Sequence, residues 1–400
     1  MLIRYKKTMR VIMISTDRKI FEEGSAVRER MIEYGNLFDE LRIIVFTKRT
    51  LDSGVKLKGA SPIKITENVF VYPTYSLNRW LYVFDAVKRG RKIIRHIRPS
   101  RLTGRLLVKD VVVTSQDPFE TALAAWIISF LGTFTFHIQA HTDFLNPHFA
   151  EHSLANRFRI FLAAFLLPRA GSIRVVSEVI AASLVGHFSI SPEKITILPI
   201  FVDGRAISDQ RPSFDLHARY PQFRFIILMA SRLEREKNVH FAISVVREVV
   251  KKYPLTGLVI VGDGSEKKAL QKYVRALNLD GNVVFEPWQA DLVSYFKTAN
   301  CFLLTSLYEG YGMTLIEAAL AGLPIITSEV GVASKLKEKE AALVCPVGDV
   351  GCFVDALFST IEDNQKREML RLAGKEAVLS MLIGKRKYLS TFKESIEKAL

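Results

Sequence analysis

The sequence predicts an α/β protein made of two doubly wound domains. Short apolar runs rich in β-branched residues alternate with amphipathic helical stretches, which is typical of parallel sheets covered by helices on both faces. The chain has 400 residues, more than one hydrophobic core usually serves, so two domains are expected. A hydrophobic content of 49% and a charged content of 24% indicate an ordinary globular protein and exclude disordered, collagen-like and coiled-coil chains.

The strands are predicted from apolar runs that recur in both halves of the chain. In the first half these runs are residues 11–15, 41–46, 111–113, 134–138 and 173–176. After Pro199 the rhythm restarts, and a helix is predicted at 239–252. The strands of the second half are predicted at residues 225–230, 258–261, 283–285, 301–304 and 325–327.

The domain boundary is expected near residues 199–223, where prolines and a glycine interrupt any regular pattern. We therefore predict a first domain over residues 1–200 and a second domain over 201–379. The last stretch, about 380–400, has an apolar helical face and is expected to return to the first domain.

Positive charge is concentrated in the first half. Residues 1–200 carry 29 Lys and Arg against 17 Asp and Glu, whereas residues 201–400 carry 27 against 24. Most of the net charge of +15 therefore belongs to the first half, which indicates an anionic partner such as a membrane surface, a nucleic acid or an acidic substrate. The alternative is a soluble protein that is basic without such a partner.

No membrane span is expected, although residues 121–142 carry no formal charge over a length that would permit one. Polar residues divide this stretch into a predicted helix at 121–131 and a strand at 133–138. The cysteines Cys301, Cys345 and Cys352 are odd in number and lack the spacing of a zinc or redox site, which favours a reducing compartment. These observations predict a cytoplasmic protein.

Two cations follow the strand at 225–230. In open α/β sheets ligands bind beyond the carboxyl ends of the strands, so loops at these ends are candidate sites. Arg232 and Lys237 lie between this strand and the next helix. A guanidinium fork, an ammonium and the positive end of a helix together suit a diphosphate. For the two cations alone, a solvated loop is the alternative.

The loop after the strand at 258–261 begins at Gly262 and reads Gly-Asp-Gly-Ser. Glycine allows the backbone to turn sharply and to approach a ligand closely. The loop lacks the third glycine of the dinucleotide-binding fingerprint, so a Rossmann dehydrogenase is not supported.

The loop after the strand at 301–304 combines two carboxylates with a helix start. Glu309 lies in the loop, and Glu317 lies one turn into the helix, where a carboxylate can accept hydrogen bonds from both hydroxyls of a ribose. For Glu317 the alternative is an acidic residue that only favours a helix N-terminus. The first helical turn is expected to receive a phosphate on its unpaired backbone NH groups, and this turn comprises Gly312, Met313, Thr314 and Leu315.

Two loops of the first half complete the candidate site. The strand at 134–138 leads to His141, and the first strand leads to Gly24 ahead of a helix predicted from about residue 27. Both loops are expected to face the second domain across a cleft. For His141 a structural role is the alternative, since a lone histidine is more often structural than catalytic.

The motifs of the second half together resemble those of the GT-B retaining glycosyltransferases of family 4. The resemblance rests on segments 231–238, 262–264, 309–317, 321–324 and 344–349, which follow the family's order. The first half matches more thinly, through Gly24, His141, 177–178 and 199–203. Residues 200–201 and Val332 depart from the family's usual Asn-Gly and Gly-Gly pairs, which bears on the identity of the sugar and the acceptor more than on the phosphate site.

The resemblance implies the GT-B fold, in which two Rossmann-like domains face each other across a cleft. The first would bind the acceptor and the second the nucleotide sugar, and the last helix would cross back to the first. Arg232 and Lys237 are implied to hold the donor diphosphate, with backbone NH groups of Gly24 and of residues 312–315.

The same resemblance places the nucleoside beside Glu317, Gly262 and Trp288, with Glu317 on the ribose. For Trp288 a core position is the alternative. Glu309 is implied to contact the donor sugar, and His141 to lie beside the reacting anomeric carbon. The residues expected to be catalytic are His141, Glu309, Arg232 and Lys237.

The expected chemistry needs positive charge where the leaving diphosphate becomes more negative. Arg232 and Lys237 supply such charge, and no Asp-x-Asp occurs in the sequence. We therefore expect a metal-independent enzyme without a cofactor, whose co-substrate is a UDP- or GDP-linked sugar.

A basic and aromatic segment at 79–105 is the candidate membrane surface. Residues 79–84 are mostly apolar or aromatic. The cations that follow are Lys88, Arg89, Arg91, Lys92, Arg95, Arg98, Arg101 and Arg105. The helix at 156–167, with Phe158, Phe161 and Phe165, is a second candidate, for which a core position is favoured. The charge asymmetry predicts peripheral attachment to the inner face of the cell membrane, where a lipid-linked or envelope-polysaccharide acceptor lies.

Two other classes of function stay open at this point. A nucleotide-sugar epimerase or hydrolase of similar shape would need no acceptor. A nucleic-acid-binding protein would fit the sequence pI of about 9.6, but no reading motif is recognised, so no nucleic-acid partner is expected. The sugar, the nucleotide, the acceptor and the oligomeric state are not predicted.

Overall fold

The computed structural model describes residues 9–49, 61–97, 110–289 and 291–400. The chain divides into two units. The first unit comprises Met1–Leu145, Leu154–Pro199 and Gly384–Leu400, and the second comprises Asn146–Ser153 and Ile200–Ile383. Each unit has a largely parallel sheet with helices between its strands, which confirms the predicted α/β class with two Rossmann-like domains.

The sheet of the first unit contains eight strands among the described residues. They are β1 (Arg10–Ser15), β2 (Glu40–Val45), β3 (Ile63–Lys64), β4 (Val69–Pro73), β5 (Val111–Ser115), β6 (Thr135–Ala140), β7 (Ser172–Val175) and β8 (Ile195–Ile197). Their order is β3-β4-β2-β1-β5-β6-β7-β8, and only β3 runs antiparallel to its described neighbour. The central strands are almost fully buried, as parallel strands covered on both faces must be.

The described helices of the first unit lie between these strands and at the end of the chain. They are α1 (Ala26–Gly35), α2 (Tyr82–Ile97), α3 (Glu120–Gly132), α5 (Leu154–Leu166), α6 (Glu178–Phe188) and α16 (Lys385–Glu397). Ser25 caps α1 by accepting a hydrogen bond from the NH of Arg28, and Ser177 caps α6 in the same way. Phe392 of α16 stacks on Tyr34 with ring centroids 4.1 Å apart, so the last helix completes the core of the first unit.

The second unit has a six-stranded parallel sheet. Its strands are β9 (Phe225–Ala230), β10 (Thr256–Val261), β11 (Val283–Glu286), β12 (Cys301–Leu304), β13 (Ile325–Ser328) and β14 (Leu343–Cys345). They follow the order β11-β10-β9-β12-β13-β14. The strand order reverses between β9 and β12, and ligands bind at such a switch point in open α/β sheets.

The helices of the second unit cover both faces of this sheet. They are α4 (Pro147–His152), α7 (Gly204–Asp209), α8 (Leu216–Arg219), α9 (Val239–Lys252), α10 (Lys267–Ala276), α11 (Val293–Thr298), α12 (Met313–Leu320), α13 (Ala333–Glu338), α14 (Val350–Glu362) and α15 (Asn364–Met381). Helix α9 has the predicted bounds, and all ten predicted strands lie within two residues of observed ones. The segment that forms α4 comes from the first half of the sequence but packs with the second unit.

The uncharged stretch at 121–142 forms α3 and β6, as predicted from its polar interruptions. In the described parts of the chain, none of the helices combines the length and the apolarity that crossing a bilayer requires.

Two expectations about side chains are wrong. Cys345 and Cys352 form a disulfide, because the end of β14 and the first turn of α14 bring their Cα atoms to 5.7 Å. The cysteine count therefore no longer argues for a reducing compartment.

The phenylalanines of α5 are not core residues: Phe158 is 62% exposed and Phe161 is 70% exposed. Of the predicted basic segment, Arg98, Arg101 and Arg105 lie outside the described residues.

Candidate functional site

The loop between β9 and α9 carries the two predicted cations. Arg232 is 73% exposed and donates from Nη2 to Oε1 of Glu236 over 3.0 Å. Lys237 is only 14% exposed, and its Nζ lies 2.6 Å from Oε1 of Glu309 in the loop after β12. The structure thus joins two predicted residues that are far apart in sequence, one on each side of the switch point.

Further hydrogen bonds hold these two loops together. The NH of Leu307 donates to the carbonyl of Glu236 over 2.8 Å, and Thr305 Oγ1 donates to the carbonyl of Lys237 over 3.2 Å. Ser306 Oγ donates to Oε1 of Glu309 over 2.8 Å, so this carboxylate oxygen receives two donors. The ammonium of Lys237 is therefore held in position before any ligand binds, which lowers the entropic cost of using it.

The loop after β12 ends at the N-terminus of α12. Gly312 precedes the helix with a φ of +91°, and no side chain caps this end. The NH groups of Leu315 and Ile316 already donate to the carbonyl of Gly312. Those of Met313 and Thr314 precede the first intrahelical bonds and have no backbone acceptor within the described parts of the chain. An uncapped helix N-terminus whose preceding loop binds a lysine ammonium is suited to an anion.

Glu317 lies further into α12 and is half-buried. Burial raises the pKa of its carboxyl to about 7, because no charged group compensates the loss of hydration. No described residue donates a hydrogen bond to this carboxyl. The group is therefore ready to accept from a ligand that brings hydroxyl donors.

Gly262 and Gly264 pack against the loop between β9 and α9, which carries Arg232 and Lys237. Gly262 has a φ of +151°, and a Cβ there would lie 1.9 Å from the carbonyl oxygen of Ser231. A Cβ on Gly264 would lie 2.3 Å from the carbonyl oxygen of Leu233. The NH of Leu233 also donates to the carbonyl of Asp263 over 2.9 Å. The close approach predicted for Gly262 is thus an approach to the loop that carries Arg232.

Trp288 follows β11 by two residues and is 62% exposed, so the core position considered for it is wrong. A cavity of about 330 Å³ also borders the loop between β9 and α9, with Glu234, His240 and Glu266 in its wall. None of the predicted site residues lines this cavity.

In the first unit, Gly24 has a φ of +72°, and a Cβ there would meet no atom within 4 Å. His141 is half-buried just beyond the end of β6. Burial, assisted by the positive charge of Arg174, lowers the pKa of the His141 imidazole to about 3. His141 is therefore neutral at neutral pH, and its ring offers one hydrogen-bond donor and one acceptor.

Arg174 was not singled out from the sequence, although a buried cation in a strand is unusual. It lies in β7, is 2% exposed, and donates to Gln139 Oε1 over 3.0 Å and to the Tyr388 hydroxyl over 3.1 Å. It thereby holds β6 just ahead of His141. The only available signal was an arginine inside an otherwise apolar run.

Further residues beside the loops of Lys237 and Glu309 were not singled out from the sequence. The hydroxyl of Ser231 is buried without a hydrogen-bond partner among the described residues. Phe149 of α4 packs edge-on against Tyr308, with ring centroids 5.8 Å apart, so α4 supports the loop that carries Glu309. Such a contact depends on tertiary structure and has no local sequence signal.

Comparison with known proteins now bears on the activity. Residues 218–377 match the family described as Glycosyl transferases group 1. The chain is 26% identical over 297 residues to an uncharacterized glycosyltransferase of Methanocaldococcus jannaschii, an alignment that covers 72% of this chain and 69% of that protein. The protein is a glycosyltransferase.

A second relative of this glycosyltransferase is the UDP-Gal:alpha-D-GlcNAc-diphosphoundecaprenol alpha-1,3-galactosyltransferase of Escherichia coli. It is 26% identical over 181 residues, which cover 44% of this chain and 47% of that enzyme. Among solved structures, HepE of Anabaena in complex with UDP superposes with a TM-score of 0.71 at 17% identity, over 96% of this chain and 99% of that one. A further structure of HepE holds UDP-glucose. This likeness shows the GT-B fold.

Proposed function

We propose that the glycosyltransferase is a retaining enzyme of family 4 that uses a nucleotide-sugar donor. One observation carries the proposal: the Lys237 ammonium is fixed on Glu309 at the switch point of the sheet. Glu309 precedes by three residues Gly312, where the uncapped N-terminus of α12 begins. A fixed cation beside free helical NH groups suits the diphosphate of such a donor.

The remaining residues of the second unit fit the other parts of the donor. The Glu317 carboxyl, which receives no hydrogen bond from a described residue, suits the ribose hydroxyls. Trp288 is exposed and offers an aromatic face to the base. Arg232 is exposed on the same loop as Lys237 and reaches the diphosphate in this proposal. A UDP-linked sugar is the first candidate, since HepE binds UDP and UDP-glucose.

The proposed mechanism uses no metal ion. The bond between the anomeric carbon and the diphosphate oxygen breaks, and Lys237, Arg232 and the α12 NH groups stabilise the negative charge that collects on the leaving diphosphate. The acceptor oxygen forms its bond to the anomeric carbon on the face from which the diphosphate leaves, which retains the anomeric configuration. The leaving phosphate oxygen takes the proton of that acceptor hydroxyl. His141, being neutral, contributes a hydrogen bond rather than a proton.

We further propose an acceptor at a membrane, lipid-linked or part of an envelope polysaccharide. The Escherichia coli relative is named for a diphosphoundecaprenol acceptor. In the first unit three phenylalanine side chains are largely exposed: Phe130 of α3, and Phe158 and Phe161 of α5. Arg169 lies 3.7 Å over the ring of Phe165 beside them. Exposed aromatic rings with arginines nearby suit the headgroup region of a membrane, which supports peripheral attachment at its cytoplasmic face.

Calorimetric titration with UDP-glucose, UDP-N-acetylglucosamine, UDP-galactose and GDP-mannose tests the donor proposal. Binding of one donor that is lost in Glu317→Gln supports it, and binding of none contradicts it. Incubation of that donor without acceptor distinguishes the other enzyme class, because an epimerase converts the donor alone. Binding of random RNA in place of every donor would indicate the nucleic-acid alternative.

Vesicle co-sedimentation tests the membrane proposal. The double variant Phe158→Ser with Phe161→Ser is expected to lose binding to anionic vesicles. Leu372→Ser is the matched control, because Leu372 is 54% exposed but belongs to the second unit. Equal sedimentation of both variants and the parent protein would contradict the proposal.

A further inference from the structure

The first unit contains a basic cavity that the glycosyl-transfer site does not use. It lies between strands β2 and β4, next to the edge strand β3, and the helix α2, and its volume is about 480 Å³. Its wall includes Arg42, Phe70, Tyr72, Arg89, Lys92 and His96. No carboxylate belongs to its described lining residues, which include two arginines and a lysine, so the cavity is basic.

The sheet provides an unusual wall for this cavity. Both faces of a doubly wound sheet are normally apolar. Leu41 and Val71 follow that rule and are fully buried, whereas Arg42 of β2 and its neighbour Phe70 of β4 are only partly buried. Among the described residues, no core side chain therefore covers this part of the sheet, and the cavity lies between it and α2.

Arg42 is held rigidly in that wall. Its Nη2 donates to Glu40 Oε1 over 2.6 Å, and its Nη1 donates to the Tyr72 hydroxyl over 2.7 Å. The guanidinium carbon also lies 5.4 Å from the centre of the Phe70 ring. Because the Tyr72 hydroxyl accepts from Arg42, its own proton remains available for a ligand.

Helix α2 contributes cations to the wall of the cavity. Arg89, Lys92 and His96 share one face of α2, at spacings of three and four residues. Neither Arg89 nor Lys92 forms an ion pair with a described residue. Partial burial lowers the pKa of Arg89, although Asp85, the one acidic residue of α2, opposes the shift. Arg89 is partly buried whereas Lys92 and His96 are exposed, so the charge of Arg89 costs free energy that a bound anion would recover.

We propose that this cavity binds a phosphate-bearing organic ligand, with the phosphate held by Arg89, Lys92 and the Tyr72 hydroxyl, and the organic part against Phe70. Phosphate matches this donor set because Arg supplies a planar fork and Lys a mobile ammonium. The volume exceeds that of a phosphate alone and lies within the range of small-molecule sites. The phosphate belongs either to a dissolved sugar phosphate or to a phospholipid headgroup.

Calorimetry on the protein tests the proposal, with saturating UDP present in every titration. The titrants are glucose 6-phosphate and glucose, which serves as the neutral control. The variant pair Arg89→Gln with Lys92→Gln is expected to weaken glucose 6-phosphate binding by about a hundredfold, since two charge-assisted hydrogen bonds are lost. The control pair Arg91→Gln with Arg95→Gln removes the same charge from exposed positions of α2 outside the cavity and is expected to leave affinity unchanged.

Vesicles of phosphatidylglycerol and of phosphatidylcholine form a second arm with the same variants. Loss of glucose 6-phosphate binding in the cavity pair alone supports a dissolved ligand, and loss of phosphatidylglycerol binding in the cavity pair alone supports a headgroup. Equal losses in both pairs indicate diffuse surface charge and overturn the proposal. Glucose binding as tight as that of glucose 6-phosphate, or no binding in either arm, overturns it as well. Thermal denaturation of each variant verifies that it folds.

Discussion

The pair formed by Lys237 and Glu309 allows a structural role to be separated from a catalytic one. We consider Lys237→Met, Glu309→Gln and the double variant. In the proposed mechanism the lysine stabilises the leaving diphosphate, so Lys237→Met is expected to lower turnover by about two to three orders of magnitude, as does loss of one preorganised donor elsewhere. The double variant also lacks the positive charge of Lys237, so its turnover should be as low as that of Lys237→Met.

The unfolding free energies of these variants should follow a different pattern from their turnover. The two side chains are 14% and 13% exposed, and their polar atoms lie 2.6 Å apart. Loss of one partner leaves the other largely desolvated, which we expect to cost about 2–4 kcal/mol in unfolding free energy. Ser306 still donates to Glu309 in Lys237→Met and limits the loss. The double variant leaves no isolated charge and should regain most of the lost stability.

Urea denaturation and donor turnover measured on all four proteins test this reasoning. Lys252→Met serves as the control, because Lys252 also lies 2.7 Å from a glutamate oxygen but both side chains are about half exposed; it should change neither quantity measurably. Recovery of turnover together with stability in the double variant would refute a catalytic role for Lys237 and leave it a purely structural one.

Three other outcomes are expected. Because the pKa of Glu317 is raised to about 7 in the ligand-free protein and the ribose hydroxyls donate to the ionised form, affinity for UDP-glucose should rise between pH 6 and pH 8, and calorimetry on Glu317→Gln should show no such rise. With its pKa lowered to about 3, His141 should show no NMR titration between pH 5 and pH 8, and a midpoint near 6.5 would contradict its burial. Gly262→Ala forces a Cβ against the Ser231 carbonyl and should destabilise the protein by about 1–3 kcal/mol in thermal denaturation, whereas Gly281→Ala, where a Cβ meets nothing within 4 Å, should not.

Local sequence signals were sufficient for the main strands and for the position of the candidate-site loops at the ends of those strands. Strands such as β9 and β10 are continuous apolar runs, and the rule that ligands bind at strand ends selected the loops of Arg232 and Glu309 directly. The strands missed were β3, β4, β8 and β14. Three of them are only two or three residues long, and β4 includes half-buried Phe70 and Tyr72, which weaken an apolar pattern.

Contacts between distant segments could not be predicted in this way. The bond from Lys237 to Glu309 joins residues 72 positions apart, and nothing in either segment specifies the other. The same holds for the disulfide of Cys345 with Cys352, which depends on where β14 and α14 meet. The exposure of Phe158 and Phe161 is a further example, because an apolar helix face does not reveal whether another element covers it.

The return of α16 to the first unit has a consequence for biosynthesis. Tyr34 stacks on Phe392, and Ser172 Oγ donates to the carbonyl of Ser395 over 2.8 Å, so partners made early in translation await others made more than 200 residues later. During that interval the nascent chain presents unfilled apolar surface while Ile200–Ile383 of the second unit emerges from the ribosome. Chaperone demand should therefore be greatest before α16 is made, and a truncation that stops ahead of Gly384 should leave the first unit prone to aggregation.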